Sequence, residues 1–167
     1  MILSIVAKSL DWPDWFSEKF PKQEFIFLIR VKGLAKDGLI EIDQLNRRLQ
    51  ALSSSGHKLV IDWDLLMEEG RFHYCRRLIE QIDPSHLYGI RVSDPGAFQY
   101  LLEETQFKVE LNLDHGNHNF SGFEKWSEFG GDRLLCIAPS MELTGEKIES
   151  YQAQLKVDLE PLLVGPI

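Results

Sequence analysis

Five short clusters of charged, amide and hydroxyl residues, each at or just past the end of an apolar run, are where this chain could do chemistry. "LDHGNHNF" (113–120) brings Asp114, His115, Asn117, His118 and Asn119 close together. Arg30 and Lys32 close the run "EFIFLIRV"; Asp62 and Asp64 close "KLVIDWD"; Arg91, Ser93 and Asp94 close "LYGIRVSD"; Ser140 and Glu142 follow "RLLCIAP". Arginine and lysine in such places take an anionic group, while carboxylates and imidazoles move protons or order the cations. The histidine-rich stretch is open to three readings: a metal site, one wall of a polar pocket, or a hydrated turn.

Strand parity groups these residues. Side chains alternate across a strand, so Glu110, Asn112 and Asp114 share one face and Val109, Leu111 and Leu113 the other. The same parity joins Arg30 with Lys32, Asp62 with Asp64, and Arg91 with Ser93. Successive strands then present basic, acidic, basic and acidic groups. Buried charges are costly unless paired, so this ladder either neutralises itself or receives a charged ligand. Arg30, Lys32, Arg91, Asp94, Asp114, Asn117, His118 and Ser140 are therefore expected to bind substrate. Asp62, Asp64, His115 and Glu142 are expected to handle protons. No metal ligand set is assigned: His115 and His118 make half of a zinc pattern, with only Asp62, Asp64 or Asp114 to add oxygen. A metal-dependent hydrolase built on those residues is a third reading of function.

Simpler roles compete. Asp94 before Pro95 and Gly96 has the pattern of a helix N-cap. Cys75 and Cys136 read as small core residues, and His57, His73 and His86 as structural or solvated. Trp12, Trp15, Phe16 and Phe20 fall at helical spacing and read as core. Neither a P-loop nor a nucleophile elbow is present.

The positioning elements are strands separated by amphipathic helices. Candidate strands are 2–7, 24–31, 58–63, 87–92, 107–113, 133–138 and 156–164. Ile42, Leu45, Leu49 and Leu52 make one helical stripe, ended by Gly56; Phe72, Cys75, Leu78, Ile79 and Ile82 make a second; Thr144 caps a third carrying Ile148, Tyr151 and Leu155. Such alternation implies right-handed βαβ units and a parallel sheet. Without a GxGxxG turn after the first strand, a TIM-barrel-like (β/α) fold is favoured over a dinucleotide-binding sheet. A full barrel needs eight units, and seven strands predict an incomplete or truncated barrel, one domain over 1–167 and the N-terminal part of a longer protein. The exposed seventh strand is then a natural pairing edge.

The 167 residues are 44% hydrophobic and 26% charged, with a formal charge of −8. That balance argues against a general nucleic-acid surface. The apolar start lacks a basic leader and is too short to span a membrane, so a cytoplasmic location is expected. Two cysteines outside any CxxC pair predict neither a disulfide framework nor a cofactor held by this segment alone.

"IRVSDPGAFQYLLEE", "VELNLDHGNHNFSGFEKW", "RLLCIAPSMELTGEKI" and "VDLEPLLVGPI" follow one another in an order that resembles the collagenase-like peptidase U32 family. Asp94 and Gly96 match its Asp-x-Gly after the fourth strand, and Asn117 its Asn after the fifth. Ser140, Glu142 and Leu143 match part of its Ser-Arg-Glu-Leu motif, and Gly165 its final His-Gly. Met141 and Val164 stand where the family has Arg and His. The resemblance implies a barrel of peptidase type, a hydrolase, or a relative of the oxygen-independent hydroxylases. An iron–sulfur cluster would be implied only if cysteines follow residue 167. The two substitutions favour an alternative, a non-catalytic barrel that binds a ligand or pairs with a partner.

Overall fold

The computed structural model describes residues 2–65, 69–113 and 117–161. Strands and helices alternate along it: β1 (Ile2–Ala7), α1 (Trp12–Lys19), β2 (Glu24–Ile29), α2 (Ile42–Ser54), β3 (Lys58–Trp63), α3 (Glu69–Ile79), β4 (Gly89–Val92), α4 (Pro95–Glu104), β5 (Val109–Leu111), α5 (Phe120–Gly130), β6 (Leu134–Ile137), α6 (Gly145–Gln152) and β7 (Asp158–Leu159). The seven strands are parallel and take their places in the sheet in chain order. This is the α/β, incomplete-barrel type that the alternation predicts. Two compact units, residues 1–91 and 92–167, divide the chain within β4.

In the first unit Phe27 pairs with Leu59 and Leu28 with Val60. Parallel partners point the same way, so each strand face is shared. Phe27, Ile29, Leu59, Ile61 and Trp63 make the fully buried face. Helices cover it: Phe16 of α1 meets the Phe27 ring at 6.1 Å and Phe72 of α3 stacks on Trp63 at 6.2 Å. The opposite face carries Ile26, Leu28 and Val60 with Tyr88 against them. Leu45, Leu49 and Leu52 of α2 are buried, as their spacing predicts.

The aromatic group of α1 departs from expectation. Only Pro13 of that helix is buried, and Trp15 and Phe20 are each 49% exposed. Helical spacing identifies an apolar stripe but not whether anything covers it.

After β2 the chain doubles back, and Leu39 and Ile40 donate their N–H groups to the Arg30 carbonyl. Two glycines permit this. Gly33 sits at φ +90°, where a Cβ would lie 2.9 Å from the Tyr74 ring, and a Cβ on Gly38 would lie 2.3 Å from the Val31 carbonyl oxygen.

In the second unit β5, β6 and β7 form a ladder in which Glu110 pairs with Cys136, and Cys136 with Asp158. Caps start its helices as the sequence predicts: Asp94 accepts from the Ala97 N–H and Thr144 from that of Lys147. Phe98 of α4 meets Trp126 and Phe129 of α5, and Phe123 of α5 meets Tyr151 of α6. Arg133 Nη1 donates to the carbonyls of Leu101, Thr105 and Phe107, at 3.2, 2.6 and 3.4 Å. A cation there satisfies the acceptors left at the end of α4 and ties them to the approach of β5. β7 is shorter than expected; Pro161 follows closely, and the rest of the anticipated strand, 162–164, lies outside the described residues.

Candidate functional site

The register runs as far as Ile29 opposite Ile61, and the next residue of each segment, Arg30 and Asp62, meets the other through its side chain. Arg30 Nε donates to Asp62 Oδ2 at 3.0 Å. The two side chains differ in burial, 31% exposed for Arg30 against 6% for Asp62. Burial pushes the Asp62 carboxyl above its ordinary range; Arg30 and Arg91 pull it back and Asp64 pushes it further up, leaving it raised on balance. Asp64 is itself held, accepting from the Lys36 backbone N–H at 2.8 Å. Arg30, Asp62, Asp64 and Arg91 are thus gathered at the carboxyl ends of strands in the first unit.

Arg30 Nη1 also lies 3.6 Å from Asp37, whose carboxylate is 86% exposed. That second pair is at the surface, where ion pairs contribute about 0–1 kcal/mol. A ligand carboxylate could therefore displace Asp37 at little cost.

Lys32 does not join the group. It pairs with Glu41 at 2.8 Å, with both side chains exposed. The bond and charge of Glu41 hold its ammonium above the ordinary lysine range. Lys32 lies past the end of β2, in the doubled-back segment, so strand parity no longer directs it.

The second unit buries Ser93, Glu110, Asn117 and Ser140. Asn117 Nδ2 donates to the Ala138 carbonyl at 3.0 Å, and the Asn117 carbonyl accepts from the Ser140 N–H at 3.0 Å. Asn117 is thereby pinned to the segment after β6. Asn117 Oδ1 is buried and has no hydrogen-bond partner among the described residues. Ser140 Oγ accepts from the Glu142 N–H at 3.3 Å. The Glu142 carboxylate, an expected proton carrier, is 79% exposed and lies 3.6 Å from His118 Nδ1. Asp94, expected at substrate, has its Oδ1 on the Ala97 N–H. Asn119, given no role from sequence, caps α5 by accepting from the Gly122 N–H. Asp114, His115 and Gly116 lie outside the described residues, as do Val164 and Gly165.

Sequence reasoning missed a third group. Cys136 is buried, as a small core residue should be, and it also pairs with Glu110 across the ladder. Its Sγ donates to Glu160 Oε2 at 3.2 Å. One potential ligand atom from each of Glu110, Cys136 and Glu160 lies within 4.8 Å of the others. Parity already placed Glu110 on a polar face; what was lacking was the register that sets Cys136 beside it.

The two cysteines do not fit an iron–sulfur cluster, which takes four thiolates. Cys75 donates to the Gly33 carbonyl in the first unit, while Cys136 is engaged with Glu160 in the second. Among the described residues no helix is long and apolar enough to cross a membrane.

No family model matches the chain, and no curated protein matches it. Among solved structures, that of the U32 peptidase Mk0906 is similar, with a TM-score of 0.69 over 96% of this chain and 67% of that one, at 12% sequence identity. At that identity the likeness establishes the barrel-type fold.

Proposed function

We propose that this chain is a barrel domain of a U32-peptidase-like enzyme and binds a polar, anionic substrate at the carboxyl ends of its strands. Arg30 carries the reading. Its Nε is oriented by the buried Asp62, and among the described residues its outer N–H groups pair with the exposed Asp37 carboxylate. A substrate carboxylate would replace Asp37 there, and Asp62, with its raised pKa, would hold the guanidinium in place and buffer a proton beside it. The order of the U32-like motifs and the fold shared with a U32 peptidase support the enzyme class.

The exposed Glu142 and the exposed Met141, where the family has Arg, favour a second reading, a barrel that binds without catalysis.

Calorimetry with a tripeptide bearing a free C-terminal carboxylate, against its C-terminal amide, tests the anion site. The acid form should bind more tightly. Arg30→Lys, which keeps the charge but loses the planar fork, should weaken it about tenfold or more, since a hydrogen bond to a charged group is worth roughly 1.5–3 kcal/mol. Equal binding of acid and amide, or an unaffected Arg30→Lys protein, would refute the anion site. Mass spectrometry of the same mixtures separates the two readings. Cleaved peptide supports the enzyme; intact peptide with Arg30-dependent binding supports the non-catalytic barrel.

A further inference from the structure

The second unit holds a donor set that substrate binding at Arg30 does not use. We propose that Glu110, Cys136 and Glu160 form a site for a thiophilic divalent cation of the zinc type. Three neighbouring strand positions supply one donor each. Glu110 and Cys136 are direct partners across β5 and β6, so their side chains point the same way. Asp158 is the β7 partner of Cys136, and Glu160, two residues on, shares its face. The Glu160 N–H donates to the Ile137 carbonyl at 3.0 Å, which holds this segment against β6.

The spacing suits a coordination sphere. Zinc bonds of about 2.3 Å to sulfur and about 2.1 Å to oxygen set tetrahedral donors roughly 3.4–3.6 Å apart. The Cys136–Glu160 pair already lies at 3.2 Å, and all three donors lie within 4.8 Å of one another. Side-chain rotation alone covers the difference. Glu110 and Cys136 are buried while Glu160 is half-buried, leaving one side open for entry and for a water ligand.

The donor chemistry selects the ion. Magnesium and calcium take oxygen ligands, whereas a thiolate beside two carboxylates suits zinc or cobalt. On binding, the Cys136 S–H bond breaks, its proton passes by way of the Glu160 carboxylate to solvent, and a sulfur–metal bond forms. A second observation comes from the segment that follows β6. Asn117, fixed to Ala138 two residues beyond Cys136, presents a buried Oδ1 that lacks a donor among the described residues. A cation-bound water that reaches this oxygen would supply one.

The test is a Co²⁺ titration of the reduced, chelator-stripped 167-residue chain, read by sulfur-to-cobalt charge-transfer absorbance and by proton release. We expect saturation at one ion per chain, displacement by Zn²⁺ and indifference to excess Mg²⁺. Cys136→Ser should abolish the band and Cys75→Ser should keep it. Glu110→Gln and Glu160→Gln should each weaken binding by at least about tenfold, the low end of losses seen even for outer groups of a metal site. Circular dichroism checks the fold, and if Glu110→Gln does not fold, the half-buried Glu160 carries the same measurement. Arg30→Lys should leave the titration unchanged, which separates this site from the anion site. No thiolate band, a band that survives Cys136→Ser, or glutamine variants that bind like the parent would each overturn the site and leave the three residues as a proton-sharing network.

Discussion

Both units place a buried carboxylate where a parallel strand ends, and they surround it differently. In the first, Asp62 faces the guanidinium of Arg30 with Arg91 nearby. In the second, the strand partner of Glu110 is a cysteine, and that thiol donates to another glutamate. An arginine beside a carboxylate orders a charge for something anionic. A thiol between carboxylates gathers donors for something cationic. On these two proposals, strand ends of one fold suit opposite chemistries, and the choice lies in a few side chains rather than in the fold.

The contrast breaks most sharply at Arg30. Arg30→Ala leaves Asp62 buried with the charge of Arg91 still acting on it and should cost about 2–4 kcal/mol at neutral pH, measured by urea unfolding. The sign with pH follows from Asp62. Its folded pKa lies above the ordinary 3.8, so its contribution to stability is present below that value and is lost as pH rises through the raised folded one. Without Arg30 the folded pKa climbs further, so the penalty should be small in acid and grow toward neutrality. Arg30→Ala with Asp62→Asn should recover most of the loss. A penalty that is flat with pH, or a double variant no better than the single, would mean that charge pairing is not what holds this end of the first unit.

Asn117→Ala probes the neutral counterpart. It removes the bond to the Ala138 carbonyl inside the second unit and should cost about 1–3 kcal/mol. Because an amide does not titrate, this loss should be equal at pH 5 and pH 8. A loss that varied strongly with pH would show that Asn117 acts through a neighbouring ionised group.

Asp94→Ala should cost about 1 kcal/mol, the ordinary value of a helix cap, and leave tripeptide binding as it was. Binding lost at unchanged stability would instead make Asp94 a substrate ligand. The smallest effect is expected at Glu142. Its carboxylate is mostly exposed, and Glu142→Ala should move stability by no more than about 0.5 kcal/mol. Loss of tripeptide cleavage in that variant would restore it as a proton carrier.

Local periodicity made much of this molecule legible. The leucines of α2, the caps Asp94 and Thr144, and the strand–helix alternation depend on neighbours within a few residues, and each stands where the pattern puts it. Lys32 escapes strand parity because the doubled-back segment begins where β2 ends. Trp15 and Phe20 stand half exposed, since an apolar stripe does not say what covers it.

By itself the sequence determined the element types, the order of the strands and which residues of one strand share a face, since these follow from short-range sterics with periods of 2 and 3.6. Tertiary structure alone decided who stands beside whom across strands. Val109 pairs with Leu134, yet after a slip in register Glu110 pairs with Cys136 rather than Leu135. One bulged residue turns every following side chain to the other face. The Glu110–Cys136 pairing exists because of that irregularity, which depends on backbone bonds between segments far apart in the chain.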